Sequence, residues 1–318
     1  MQVDRLTAGG TTVVVFDVTG EVTSGGEPAA TLDELRSRVE AALGTSGAVL
    51  VRGLGIATPE QFHAAVGRFG DPLTSYRGGN TPRSAVTDGV FTSTEYPPEY
   101  EISLHNELSY AHAWPRLLFF CCLVPARSGG ATPVCDGRAL LAELDPAVRD
   151  RFVEHGVTYR QHLHGGYGLG KSWQQTFETE DRDEVERFLD AADMTYEWTE
   201  DGGLRTASSR PATRVHPDTG ETVWFCQADQ WHPSGLPPAE AEELLELFDD
   251  EADLPNSVTF GGGQPIPASD LEQIRVAAKR HEMAFPWQAG DVMIVENMLA
   301  LHGRHPFQGE RRVLVSMT

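Results

Sequence analysis

The chain has 318 residues, 40% of them hydrophobic and 23% charged, and its 47 acidic against 25 basic side chains give a formal charge of −22. That composition supports a sizeable buried core, and the surplus of negative charge repels phosphate backbones and anionic membranes, which argues against nucleic-acid and membrane partners. No stretch approaches the roughly 18 apolar residues that span a bilayer; MQVDRLTAGG lacks a basic region followed by an apolar core; and Cys121, Cys122, Cys135 and Cys226 form no CxxC pair, so a cytoplasmic protein in a reducing compartment is expected.

In chain order, GGTTVVVFDVTG reads as an early strand, rich in β-branched residues between glycines. TLDELRSRVEAAL predicts a helix with Thr31 as its N-cap, Glu34 completing a capping box, and Leu32, Leu35, Val39 and Leu43 on one face. GAVLVRGL reads as a buried strand. TPEQFHAAVGRFG reads as a short helix from an N-cap at Thr58 to Gly70. Residues 78–101 are rich in Gly, Pro, Ser and Thr and predict a long loop, a candidate lid. EISLHNELSY leads into the strand-like RLLFFCCLV, where adjacent Cys121 and Cys122 read as small buried hydrophobes. Helices are expected over 139–155, 181–192, 238–249 and 270–281, and strands at GDVMIVEN and RRVLVSM. Strands at both ends with helices between predict an α+β fold on one sheet-rich core, a single domain over 1–318.

The chemistry begins at His105 and Glu107. On an extended strand, residues i and i+2 share a face, so an imidazole and a carboxylate would converge on one point. Two histidines and a carboxylate on one face suit Fe(II) and leave positions open for substrate and oxygen. A histidine-x-glutamate alone is weak evidence. The second histidine must come from elsewhere, and His302 follows a strongly β-patterned run.

LHNELSYAHAWPRLLFFCCLVPARSGGATPVCDGRALL together with NMLALHGRHPFQGERRVLVSM resembles the taurine dioxygenase (TauD/TfdA) family. The likeness extends to GAVLVRGL, to RPATRVHPDTGETVWFCQADQWH and to FPWQAGDVMIVEN. Within the family it is similar to the amino-acid hydroxylases of peptide natural-product pathways, such as the syringomycin-type aspartyl hydroxylase. The resemblance implies a double-stranded β-helix, or jelly roll, with helices outside, and an iron triad of His105, Glu107 and His302. It implies that Thr132, in Gly-Gly-x-Thr, bonds 2-oxoglutarate, and that an arginine after the distal histidine pairs with the cosubstrate's far carboxylate. A planar guanidinium suits that task. Arg311 and Arg312 both qualify; adjacent strand residues point to opposite faces, and the alignment favours Arg311.

The implied activity is Fe(II)-, 2-oxoglutarate- and O2-dependent oxygenation, releasing succinate and CO2. Its expected target is a small molecule, an amino acid or amino-acid-derived metabolite, free or tethered to a carrier protein. Halogenating relatives carry a small residue at the carboxylate position, so Glu107 favours hydroxylation, desaturation or cyclisation over chlorination. Two other readings use the same residues, a non-catalytic jelly-roll binding protein and a zinc hydrolase, since two histidines and a glutamate also suit zinc. Arg205 and Arg210 are candidate anchors for a substrate carboxylate or carrier-linked group, with surface ion pairs as the plainer role. His162 and His164 read as a loop or substrate-side pair, His112 and His305 as neighbours of ligands, and Trp173, Trp224 and Trp231 as core. Relatives have asparagine where Cys226 stands, which weakens any transfer of substrate contacts from that segment.

Overall fold

The β-branched run Thr11–Asp17 builds the strand that the sequence predicts. Before it the exposed Gln2–Ala8 pairs antiparallel as an edge strand that the sequence reading had not identified. The computed structural model describes residues 1–20, 27–80, 83–93, 96–248, 250 and 253–318. Thr11–Asp17 runs parallel to Ala48–Arg52, and parallel neighbours need a crossover. The helix Pro28–Ser46 supplies it, burying Leu32, Leu35, Val39 and Leu43. That helix starts earlier than expected. Pro28 sits in its first turn and Thr31 is an interior position without a capping role, because proline's fixed φ and missing N–H suit the first helical position. Gly47 closes the helix at φ 70°, donating to Leu43 O.

The parallel pair joins a larger sheet. Its order is Gln2–Ala8, Thr11–Asp17, Ala48–Arg52, Val292–Glu296, Leu117–Val124, Arg312–Met317, Val90–Thr92 and Ala85–Thr87. Side chains alternate across it. Val13, Val15, Leu50, Phe120, Met293 and Val315 enter one core. Val14, Phe16, Val49, Val51, Phe119, Ile294 and Leu314 enter a second, beneath the helices Pro28–Ser46 and Pro59–Val66. Both faces are apolar, so this sheet lies between two layers. A second sheet of three strands, Ile102–His105, Ala300–Arg304 and Val134–Asp136, covers the first core. Together they make the jelly roll of an α+β protein.

Elsewhere the pattern holds with local corrections. Thr58 caps Pro59–Val66 in a capping box with Gln61, but the helix ends at Gly67 rather than Gly70. The stretch 139–155 is two helices, Gly137–Glu143 and Pro146–His155. Pro146 disfavours helical backbone at Asp145, whose carboxylate instead caps the second helix through Ala147 N. Helices at Arg182–Ala191, Pro238–Glu246 and Ala268–Arg280 lie where expected; residue 249, at the end of the third expected span, lies outside the described residues. The expected loop 78–101 contains the hairpin Ala85–Thr87 and Val90–Thr92 at the edge of the large sheet. Positions 81, 82, 94 and 95 of that candidate lid lie outside the described residues. Trp173, Trp224 and Trp231 are buried, as are all four cysteines, which are free thiols.

Candidate active site

His105 ends the strand Ile102–His105 and pairs across the ladder with His302 of Ala300–Arg304. Directly opposed residues bring their Cβ atoms within about 4.5–5.5 Å, and the two imidazole centroids lie 4.4 Å apart. Their separation of 197 positions in sequence is closed by one register pair. The strand argument for Glu107 needs correction: the strand stops at His105, and Glu107 lies in the turn that follows, where Leu108 adopts φ 56°. A buried asparagine places it. Asn297 Oδ1 accepts from Glu107 N at 2.8 Å, and Asn297 Nδ2 donates to Glu107 O and to Pro115 O, both at 2.9 Å. Side-chain bonds thus replace the ladder bonds that the turn gives up. One ligand atom from each of His105, Glu107 and His302 falls within 4.8 Å of the others, and all three residues are buried.

The donor set suits a ferrous ion. His105 Nδ1 lies 2.8 Å from Ser103 O, which leaves Nε2 to face a metal, and Gln230 Nε2 sits 3.0 Å from both groups. His302 Nε2 is 3.7 Å from Glu107 Oε2, while its Nδ1 is buried without a protein partner. Burial, then the charges of His105 and Arg83, hold His302 well below 6.5. Burial also lowers His105, against the opposing pull of Glu107. Burial alone would raise Glu107, but the charges of Arg83 and His105 and hydrogen bonds from Tyr76 and Arg83 outweigh it and hold the carboxyl below the usual range. Neutral imidazoles beside an ionised carboxylate are the protonation states that a divalent cation requires.

The Gly-Gly-x-Thr segment has a local cause. Gly129 and Gly130 take φ 69° and 71°, and a Cβ on Gly129 would meet Pro306 O at 2.2 Å. Two successive left-handed positions turn the chain so that Gly130 O accepts from Arg311 Nε at 2.9 Å. Thr132 Oγ1 then lies 3.3 Å from the Arg311 guanidinium and 3.2 Å from Trp287 Nε1. Arg311 also reaches Ser93 Oγ at 3.2 Å. Burial, then the charge of Arg304, lowers it to about 10, so it stays cationic at neutral pH. Arg312 is exposed. A chamber of about 30 Å³ brings Arg311, Thr132, His105 and His302 together. Ile102 lines both this chamber and a cavity of about 670 Å³, which extends past Gln227, Gln230, Asn80 and Lys171.

The other expected residues fall elsewhere. Arg205 is exposed and pairs with Asp253 at 2.8 Å. Arg210 donates to Ser209 O and Ala192 O. Neither lines either cavity; Arg205 takes the plainer role of a surface ion pair, and Arg210 is held by backbone carbonyls. His162 and His164 bond backbone atoms of Asp253 and Gly166 and are not grouped with the triad. His305 pairs with Glu282 at 2.9 Å, and His112 is exposed. Cys226 contacts the Tyr159 hydroxyl at 3.3 Å and lines the larger cavity. Sequence reasoning missed Asn297, Tyr76 and Arg83. Only Asn297 carried a local signal, as an amide closing the apolar run VMIVEN.

Residues 15–318 match the family described as taurine catabolism dioxygenase TauD, TfdA family. The dapdiamide synthesis protein DdaC of Enterobacter agglomerans is 35% identical over 290 residues, covering 91% of this chain and 87% of that protein. A clavaminate synthase-like protein of Arabidopsis thaliana is 32% identical over 295 residues, 90% of this chain and 86% of that one. Among known structures, PvcB of Pseudomonas aeruginosa superposes with a TM-score of 0.55 at 15% identity, covering 99% and 90% of the two chains. A taurine dioxygenase from Burkholderia xenovorans gives 0.52 at 18% identity, with 99% and 88% covered. These two structural likenesses speak for the fold alone. The family match and the two sequence relatives carry further: the chain belongs to the TauD/TfdA family and is a dioxygenase.

Proposed function

We propose that this dioxygenase hydroxylates, desaturates or cyclises an amino acid or an amino-acid-derived metabolite, free or carrier-bound, in natural-product biosynthesis. His105, Glu107 and His302 would hold Fe(II), and Thr132 with Arg311 would hold 2-oxoglutarate. Bound together, iron and cosubstrate supply oxidative decarboxylation, with release of succinate and CO2 and oxidation of an unactivated C–H bond. The observation that carries the reading is the convergence of two imidazoles, a threonine hydroxyl and the Arg311 guanidinium, which among the described residues pairs with no carboxylate, on one chamber beside a larger cavity, with the Glu107 carboxylate grouped with both imidazoles. A zinc hydrolase or a bare binding protein has no use for Arg311 and Thr132 facing the triad.

The chain's own groups divide the work. Arg311 offers two parallel N–H donors to a far carboxylate, and Thr132 adds a hydroxyl. Phe120, whose ring centroid lies 5.2 Å from that of His302, helps to exclude water, which strengthens every charge interaction inside. Glu107 fills the ligand position that a halide would need, favouring oxygenation over chlorination. The cavity of about 670 Å³ falls within the range of about 300–1,000 Å³ usual for small-molecule sites. Support for natural-product chemistry comes from the relative named for dapdiamide synthesis. Four free, buried cysteines suit the cytoplasm. The test is a screen of amino acids, free and carrier-bound, for succinate formation coupled to product mass. Turnover that needs neither iron nor 2-oxoglutarate would overturn the reading.

A further inference from the structure

Arg83 is the side chain at the site that the proposed chemistry leaves unused. It is 3% exposed, and its Nη2 donates to Glu107 Oε2 at 2.6 Å. Its guanidinium lies over the Tyr76 ring, 4.8 Å from the centroid. Tyr76 in turn donates its hydroxyl to Glu107 Oε1. The remaining nitrogens of Arg83, Nε and Nη1, are buried and have no hydrogen-bond partner among the described residues. Idle donors on a buried cation are expensive to maintain, which calls for an acceptor that arrives with a ligand.

Charge points the same way. Arg83, Arg304 and Arg311 all line the small chamber. Arg304 donates to the backbone carbonyls of Tyr96, Pro97 and Tyr100, and Arg311 to Gly130, Ser93 and Thr132. Among the described residues, Glu107 is the one carboxylate that bonds any of the three. A ferrous ion adds two positive charges and 2-oxoglutarate removes two, so a positive surplus stays in a water-poor chamber. Arg311 lies beside Thr132 and Arg83 beside Tyr76. Asn80, close to Arg83 in the chain, lines the larger cavity.

We infer that Arg83 binds a carboxylate of the organic substrate, so that the substrate is a free carboxylic acid such as an unesterified amino acid. The inference rests on the dioxygenase reading above and sharpens it. An amino acid tethered as a carrier thioester has consumed its α-carboxylate and would have to present another. The competing role is a positioning one, in which Arg83 only steadies Glu107 for the metal.

The full chain is loaded anaerobically with Fe(II) and 2-oxoglutarate, and the visible charge-transfer band of the loaded centre is followed. The standard free L-amino acids and their primary amides are then titrated against wild type, Arg83→Gln and Arg83→Lys. In wild type, the acids that perturb the band do so about tenfold or more tighter than their amides, equivalent to about 1.4 kcal/mol. Arg83→Gln brings that ratio to within about threefold, Arg83→Lys retains part of it, and 2-oxoglutarate affinity changes by less than about threefold in both. Arg83→Lys alone carries the comparison if the glutamine variant does not fold. A formed band with no acid preference, or a preference that survives Arg83→Gln, overturns the inference and leaves the dioxygenase reading standing. Loss of iron affinity with the preference intact assigns Arg83 the positioning role instead. A wild-type chain that forms no band overturns the dioxygenase reading and this inference with it.

Discussion

Replacing Arg311 by lysine discriminates between the two arginines that the sequence left open. Arg311 is largely buried, with its guanidinium placed by Gly130 O and Ser93 Oγ at 2.9 and 3.2 Å and facing Thr132 at 3.3 Å. Its charge persists at neutral pH because burial and Arg304 lower it only to about 10. Lysine keeps the charge but presents a point donor in place of a fork. One charge-assisted hydrogen bond to 2-oxoglutarate is then lost, about 1.5–3 kcal/mol, which raises the dissociation constant roughly 10- to 150-fold. Arg311→Ala removes both bonds and costs about 3–6 kcal/mol, but it also strands Gly130 O, so lysine is the cleaner probe. Arg312, on the exposed side of the strand, tolerates the same change to lysine within about twofold. The assay is an anaerobic calorimetric titration of 2-oxoglutarate into the Fe(II)-loaded chain, with thermal unfolding of each variant as the control for folding. Arg312→Lys weakening the cosubstrate more than Arg311→Lys would refute the assignment.

Asn297→Ala removes the bonds that fix the backbone of Glu107. Supporting residues of this kind cost about 10- to 100-fold in metal affinity, so Fe(II) binding followed by competition with a chelator should weaken by that much; an unchanged affinity would mean that the turn holds itself. Incubation with excess chloride should yield no chlorinated product by mass, because Glu107 keeps its ligand position. The metal-free chain should lose stability as pH falls from about 6.5. Its unfolded form takes up protons on histidine near 6.5, whereas His302 and His105 remain neutral in the fold until lower pH, so protons favour unfolding throughout that window. Glu107, held below 4.5, adds to the loss at still lower pH, since its carboxylate must be protonated against Arg83. Thermal midpoints recorded from pH 7.5 to 5 check this, and a flat profile would contradict it.

The sequence made the site legible where chemistry travels with local pattern. The histidine-x-glutamate, the Gly-Gly-x-Thr and the arginine pair are short spacings, and the structure gathers His105, Glu107, His302, Thr132 and Arg311 at one place. The strands VVVF, VLV and LLFF were legible too, as continuous apolar runs, because both faces of their sheet are buried. What escaped depends on contacts distant in the chain. Arg83 belongs to a Gly- and Pro-rich stretch that reads as loop, and its significance appears only when the fold buries it against Glu107. Asn297 looks like the end of a strand until its amide is seen to hold a turn 190 residues earlier in the chain. Arg205 and Arg210 attracted attention through charge alone, and the strand Leu204–Arg210 carries them to the surface and to backbone carbonyls. Helix boundaries moved at prolines: Pro28 displaced the plausible cap at Thr31, and Pro146 divided the stretch 139–155 in two. Gln2–Ala8 escaped because its exposed polar residues leave no alternation to read, and its pairing comes from the neighbouring strand.

Succinate release in air tests the central claim, that His105, Glu107 and His302 hold the iron that works with 2-oxoglutarate. Wild type, Glu107→Ala and His302→Ala are compared with Fe(II) and 2-oxoglutarate supplied together and with each omitted. The account predicts succinate from wild type only when both are present, and none above background from either variant. Undiminished succinate from Glu107→Ala, or substrate turnover by wild type with zinc and no 2-oxoglutarate, would contradict it.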